Sequence, residues 1–469
     1  MKIIKYICIV LAVVLTNTAC ESDLDIAPED RFTAGSYYRD AADLEGAVNA
    51  AYGGLQKNGL YGFNYHFLME TRTDNTFEEE PSNSGGFGDV DLFNRVTTNG
   101  VFKSTWVDSY VTIQAANIVL NRIDGISDMD AATTNSRKGE AKFIRALIYY
   151  NLVNLYGDVP LVTMETTNPT DYFGQTRTAV AEVYTQIITD LIEAAEQLPS
   201  SNGEGRATKG AANTLLGKVY LANNSPELAE MTLRKVIGEY TWANSYIDIF
   251  GVANENGPES IFEVQFESNV NGNSEGSAFA AKFTAQSNPG SKGNNLITQD
   301  LIASFEASDL RRNEIISDRE NALLHISNKY VDDNRSVLED GSNNVIVLRY
   351  TDVLLSLAEA LNMQSYAASG EAFDLLNTIR TRAGIPNLDN TTLTNKTEFT
   401  AALLEERRHE FFHELHRWFD LKRIGDPVAV MNAHFLGTGN TIDIDDLLLP
   451  IPQAQIDSDP DYMTQNPGY

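Results

Sequence analysis

Apolar residues recur along most of the chain at the three-to-four-residue spacing of amphipathic helices, not at the alternation of strands. The pattern predicts a first helix over 40–56, with Asp40 or Asp43 as its amino-terminal cap. A second, over 104–123, sets Val107, Tyr110, Ile113, Ala116 or Asn117, and Leu120 on one face. Residues 137–156 are apolar almost all round from Phe143 onward, which predicts a buried helix stopped at Gly157, with Pro160 beyond. The run Val183, Ile187, Leu191, Ala194, Leu198 predicts a helix over 178–198, ended by Pro199. Tight helix pairs are predicted over 208–221 with 226–237 and over 352–364 with 371–382, and a last long helix over 396–424, broken by Gly425 and Pro427.

Paired helices of this length with short turns are the pattern of a helical-hairpin stack. Gly217, Tyr220 and Ala229 faintly resemble the tetratricopeptide pattern, although the repeat spacing is irregular. Three long stretches, 57–103, 241–348 and 425–469, read as non-helical. The middle one holds strand-like runs at 261–266 and 345–350 around a Gly/Asn/Ser-rich loop, 268–295. Loops of that length in a compact protein are usually functional or mobile.

The amino terminus changes the picture. Lys2 and Lys5 precede an apolar run from Ile7 to Leu15, too short for the ~20 residues of a membrane-spanning helix and suited to a secretory signal. Cys20 follows Thr18 and Ala19 where processing is expected, so 1–19 reads as a signal peptide and Cys20 as a lipidation site, despite Asn17 where a lipobox usually has Leu. The polar, acidic segment 20–39 reads as a tether between anchor and body, and 40–469 as the folded part. With Cys8 removed alongside the signal, Cys20 is the sole cysteine, which excludes disulfides and Cys-based zinc sites.

Charge narrows the partners. Thirty-five Lys and Arg against 65 Asp and Glu give a formal charge of −30, which argues against nucleic acid and against a broad basic membrane face. A neutral or cationic ligand, or another protein, is the better match.

His409-Glu410-Phe411-Phe412-His413 spells HExxH on a predicted helix, a zinc-peptidase motif. No Glu follows Glu414 and no downstream His completes the extended form, so the third zinc ligand is wanting. The plainer reading makes Phe411, Leu415 and Trp418 a buried stripe, with His409 and His413 away from it and i,i+3 pairs Glu405–Arg408, Glu414–Arg417 and Asp420–Arg423. A structural Ca²⁺ finds no EF-hand spacing, Asp332-Asp333 included.

An ordered series of motifs then resembles the SusD/RagB family. It begins with Leu24-Asp25-Ile26-Ala27-Pro28 and continues through Trp106, Tyr110, Ile113, Ala116 and Asn117. Glu140, Arg145 and Ala146 lead into Tyr156-Gly157-Asp158-Val159-Pro160, followed by Ala207-Thr208-Lys209-Gly210 and Gly217-Lys218-Val219-Tyr220-Leu221. Arg349-Tyr350-Thr351-Asp352, Ala358-Glu359-Ala360, Ile379-Arg380 and Arg382-Ala383-Gly384 come next. Glu406-Arg407-Arg408, Arg417-Trp418-Phe419-Asp420, Leu449-Pro450-Ile451-Pro452 and Asn466-Pro467-Gly468-Tyr469 close the series.

The resemblance implies a mainly α fold: about four tetratricopeptide-like helix pairs with a loop-rich ligand region packed on them. It implies a surface lipoprotein of the outer membrane, without cofactor or catalytic activity, that binds oligosaccharides. It would deliver them to a SusC-type TonB-dependent barrel. Peptide import by the same route, a ligand-free scaffold, and the zinc peptidase are the alternatives.

A sugar ring presents C–H faces to aromatic rings and hydroxyls to Asp, Asn and Arg. Trp106, Trp242 and Trp418 sit in helical motifs or next to one and read as core, so the platform should be Tyr or Phe. Tyr61, Tyr65, Phe77, Phe87, Phe93 and Phe102 lie in 57–103 beside Arg72, Asp89 and Asn94, and Phe279, Lys282 and Asn288 in 268–295. Within those segments Asp74, Asn75, Phe93, Asn99 and Phe283 are the chosen ligand-contacting candidates.

Overall fold

The computed structural model describes residues 38–469 except 83–84, 169, 271, 319 and 333–336. The expected signal peptide, Cys20 and most of the expected tether lie outside the described residues. Ten helices make the scaffold: α1 Ala41–Leu55, α2 Gly100–Arg122, α3 Ala131–Tyr156, α4 Val180–Gln197, α5 Lys209–Ala222, α6 Pro226–Leu233, α7 Tyr350–Gln364, α8 Glu371–Ala383, α9 Lys396–Glu410 and α10 Arg417–Ile424. Each packs on the next from α1 to α8, giving the four pairs α1–α2, α3–α4, α5–α6 and α7–α8, and α9 closes on α7. One hydrophobic cluster threads the stack from Ala51 to Met463.

Local chemistry sets the boundaries. Asp40 accepts from the Asp43 N–H at 3.0 Å to start α1, and Asp130 accepts from Ala132 and Thr133 at 2.9 Å each, which starts α3 at Ala131 instead of the expected 137. Asn99 accepts from Val101 at 2.8 Å, so α2 begins at Gly100. Its buried stripe runs through Trp106, Ile113, Ala116 and Asn117, leaving Val107 44% and Val111 46% exposed. The expected face containing Val107 is therefore corrected by one position. Gly157, at φ 73°, ends α3.

Two other expectations are corrected. The predicted helix over 396–424 is two helices, because the chain breaks at 411–416 with His413 at φ 60° and Leu415 at φ 71°. Tertiary bonds replace the lost helical ones. Lys329 donates to the Phe412 carbonyl at 2.8 Å, Tyr330 donates to that of His413 at 2.9 Å, and Glu70 accepts from the Leu415 N–H at 2.8 Å. The stretches read as non-helical carry short helices, Asn64–Glu70, Phe87–Asp91, Phe279–Lys282, Gln299–Ser304, Pro427–His434 and Gln453–Ser458. The strand-like runs do form strands, Ser260–Val264 pairing antiparallel with Val345–Arg349.

Candidate functional site

The segments following α1 and preceding α7 are sewn into one wall. Thr76 and Phe77 pair antiparallel with Ile297 and Leu296. Thr298 donates to the carbonyls of Asn75, through its N–H at 2.9 Å, and Asp74, through its hydroxyl at 2.8 Å. The Asn294 amide donates to Glu78 at 2.6 Å, and Glu79 takes the Gln286 N–H at 2.7 Å. Behind this seam stands an aromatic cluster. Phe279 stacks on Phe283 at 5.2 Å, His66 lies 4.8 Å from Phe283, and Phe63 stands 6.1 Å from Phe283.

That wall decides the fate of the chosen residues. Asp74 is 4% exposed, and its two carboxylate oxygens take the Arg417 guanidinium at 2.8 and 2.7 Å. Asn75 is fully buried and accepts from Arg408 at 2.9 Å. Asn99 is buried as the α2 cap and donates to the Gly86 carbonyl at 2.9 Å. Phe283 is buried in the aromatic cluster. Phe93 is half-buried, with its ring 5.7 Å from Trp418 and the Arg72 guanidinium 4.8 Å above it. The structure thus places the expected ligand residues Asp74, Asn75, Asn99 and Phe283 inside the wall, engaged by other parts of the protein, and Phe93 half-buried beside Trp418.

The solvent side of the same wall carries other groups. Phe87 is half-buried, edge-on to Phe63 at 5.5 Å and to Phe67 at 4.9 Å. The Lys282 ammonium lies 5.1 Å from the Phe63 ring and 5.9 Å from that of Phe87, and burial lowers its pKa. Asp89, on the Phe87 helix, accepts from Asn94 at 3.0 Å. An aromatic ring beside an ammonium, with a carboxylate and an amide in the same segment, suits a neutral, hydroxyl-bearing ring. Phe87 follows Gly85 and Gly86, both at positive φ (63° and 109°), a turn that leads into the short helix. That glycine pair is the sequence signal that could have singled out Phe87 among the loop aromatics, and the choice of candidates passed it over. Beneath this rim, burial raises the Asp91 carboxyl to about 8 and that of Glu78 to about 7.

The HExxH residues are built into the core. Burial alone would raise the Glu410 pKa, but Arg382, Arg349 and Arg311 outweigh it and hold the carboxylate well below its ordinary range. Arg349 and Arg311 reach Glu410 at 2.9 and 3.0 Å, and Arg382 at 2.5 Å. His409 lies in the last turn of α9, His413 sits in the break, and both are buried. The expected helix carrying both His, turned away from the buried stripe, is absent. Glu414 pairs with Lys329 at 2.6 Å and Arg349 at 2.6 Å instead of Arg417, whereas Asp420–Arg423 forms at 2.8 Å. A carboxylate held by three guanidinium groups cannot take a proton from a water.

Trp106 and Trp418 are core, 3% and 0% exposed, and Trp242 is half-buried under the Arg382 guanidinium at 3.9 Å.

Comparison with known proteins gives a consistent result. A model of the SusD family matches residues 315–469, and one described as starch-binding associating with outer membrane matches 36–221. The SusD-like protein P2 of Formosa agariphila is 26% identical over 510 aligned residues, covering 99% of this chain and 100% of that protein. The starch-binding protein SusD of Bacteroides thetaiotaomicron is 27% identical over 277 residues, covering 53% of this chain and 47% of its own length. Among solved structures, a laminarin-binding SusD-like protein superposes with a TM-score of 0.77 at 26% identity, covering 92% of this chain and all of that one. A SusD superfamily protein from Parabacteroides distasonis superposes at 0.80 with 25% identity, covering 94% of this chain and all of that one.

Proposed function

The chain belongs to the SusD/RagB family, and on that premise we propose that it captures neutral oligosaccharides at the outer surface of the outer membrane and passes them to a SusC-type TonB-dependent barrel. In this reading Cys20 carries the lipid that anchors it, and the chain does no chemistry on its cargo. One observation carries the proposal: a laminarin-binding relative aligns across its whole length with this chain at 26% identity and the same fold. The amino-terminal match to a starch-binding, outer-membrane-associated description supports the same ligand class and location.

The rim formed by Phe87, Lys282, Asp89 and Asn94 is the proposed contact surface. A pyranose ring would lay its C–H face on the exposed part of Phe87, and the ammonium, carboxylate and amide would meet its hydroxyls. The formal charge of −30 favours a neutral cargo over an acidic one.

The experiment is isothermal titration of the purified mature chain against laminarin, starch, fructans, mucin glycans and a peptide mixture. The expected result is heat with at least one neutral glycan, weakened at least tenfold by Phe87→Ala. Binding to peptides with silence toward every glycan would replace this reading by peptide import.

A further inference from the structure

A large open groove lies away from those rim residues, and none of its lining belongs to them. It is a groove of about 480 Å³ between α2, the segment 160–175 and the carboxy-terminal stretch 455–463. That volume falls within the ~300–1,000 Å³ of small-molecule sites.

Its walls are fixed from behind. Gln114 on α2 donates to the Thr166 carbonyl at 3.0 Å and accepts from the Thr166 N–H at 2.9 Å. Asn117 donates to the carbonyls of Val162 and Met164 at 3.0 Å each. The Gly174 N–H donates to Asp459 at 2.7 Å, tying the 170s loop to the carboxy-terminal stretch. The Tyr110 hydroxyl is spent on the Pro160 carbonyl at 2.8 Å and that of Tyr172 on Met164 at 3.3 Å, so both rings offer faces, not phenols. Phe173, 60% exposed, extends the aromatic wall, and Val107 and Val111 form the apolar floor along α2.

A groove walled only by apolar groups would suit a helix or a lipid, and this one is not. The Gln175 side chain donates to the Leu161 carbonyl at 3.0 Å, which fixes its amide, and its buried Oε1 finds no donor among the described residues. A buried acceptor without a donor is costly unless something supplies one. The Gln455 amide makes one long bond, 3.4 Å to Ser458, and Asp459 is the sole charged side chain lining the groove among the described residues. The occupant that fits the groove is uncharged, has flat C–H faces for Tyr110, Tyr172 and Phe173, and has hydroxyls to meet the Gln455 amide and to donate to Asp459.

We infer that the groove between α2, segment 160–175 and the carboxy-terminal stretch is a second binding site for neutral oligosaccharides, separate from the Phe87 rim. Two contact points on one chain would hold a polysaccharide more tightly than either alone. The ligand class rests on the proposed function; the site rests on the groove itself.

The test is titration with neutral hexasaccharides, laminarihexaose and maltohexaose among them, on the wild type, Phe173→Ala, Gln455→Ala and Phe87→Ala, with circular dichroism as the fold control. Phe173 and Gln455 hold no part of the core, so both variants should fold. The expected result is two sites in the wild type, with affinity at one of them falling at least tenfold in Phe173→Ala and Gln455→Ala while the other is kept. Binding that survives Phe87→Ala but falls in Phe173→Ala would uphold the groove and remove the rim. Unchanged titration of both groove variants beside loss in Phe87→Ala would overturn the groove alone, and silence toward every hexasaccharide would overturn both. Unchanged glycan binding in Phe173→Ala with loss of co-purified barrel would also overturn it, by making the groove a protein contact.

Discussion

Asp74 and Arg417 form a two-pronged ion pair, the guanidinium Nε and Nη2 meeting the two carboxylate oxygens at 2.8 and 2.7 Å. Arg408 adds a third contact at 3.0 Å. Burial alone would raise the Asp74 pKa, and Arg417 with Arg408 reverses this to a net lowering. Removing one partner of a buried pair leaves the other charged and unpaired, at about 3–5 kcal/mol. Asp74→Ala should lose about that much in urea unfolding, and glycan affinity of the fraction that folds should stay unchanged. The sign of the pH dependence follows. With the folded pKa below the unfolded one, the stabilisation is present above ~4 and disappears as pH falls through the folded value, and Asp74→Ala should lose this acid-dependent part.

Glu410→Gln gives a second prediction. Three guanidinium groups, from Arg311, Arg349 and Arg382, share this carboxylate. Neutralising it should cost about 3–5 kcal/mol in thermal or denaturant unfolding. Neither the wild type nor the variant should hydrolyse peptides or retain stoichiometric zinc by elemental analysis. A wild-type peptidase activity abolished by Glu410→Gln would restore the metal reading.

Beneath the rim the pH dependence runs the other way. Burial raises Asp91 to about 8, far above its unfolded value near 4. The folded chain therefore holds a proton that the unfolded chain has released, and stability falls as pH rises from ~4 towards ~8. Asp91→Asn keeps an acceptor for the Glu78 N–H, now 3.2 Å from Asp91. The variant should be more stable than the wild type at pH 8 by at least ~1 kcal/mol, and the gap should close near pH 4. Paired unfolding curves at the two pH values measure it.

Cys20→Ala tests the anchor. Cells fed radiolabelled palmitate should label the wild type and not the variant, and the variant should leave the membrane fraction. Label persisting in the variant would place the lipid elsewhere.

The sequence carried the scaffold further than the wall. A helix apolar all round from Phe143 has few alternatives to burial, and Thr208, Gly157 and Gly384 mark helix ends by chemistry that acts within four residues, whereas the Asp130 cap was passed over. Asp74 is different. A loop aspartate among aromatics looks the same whether it faces a ligand or a guanidinium, and its partner lies 343 residues away. The break at 411–416 was equally illegible, since no Gly or Pro stands there and the left-handed His413 and Leu415 are held by Lys329, Tyr330 and Glu70 from remote segments. Phe87 was within reach, because the preceding glycine pair is a local sign of a turn ahead of it.

The same 343-residue span between Asp74 and Arg417 bears on the order of folding. A nascent polypeptide emerging from its amino end can close α1 onto α2 and α3 early, but the charge at Asp74 waits uncompensated until the last tenth or so of the polypeptide arrives. Truncation anywhere ahead of Arg417 should therefore yield not a smaller receptor but a trapped intermediate whose front half is helical and whose wall never sets.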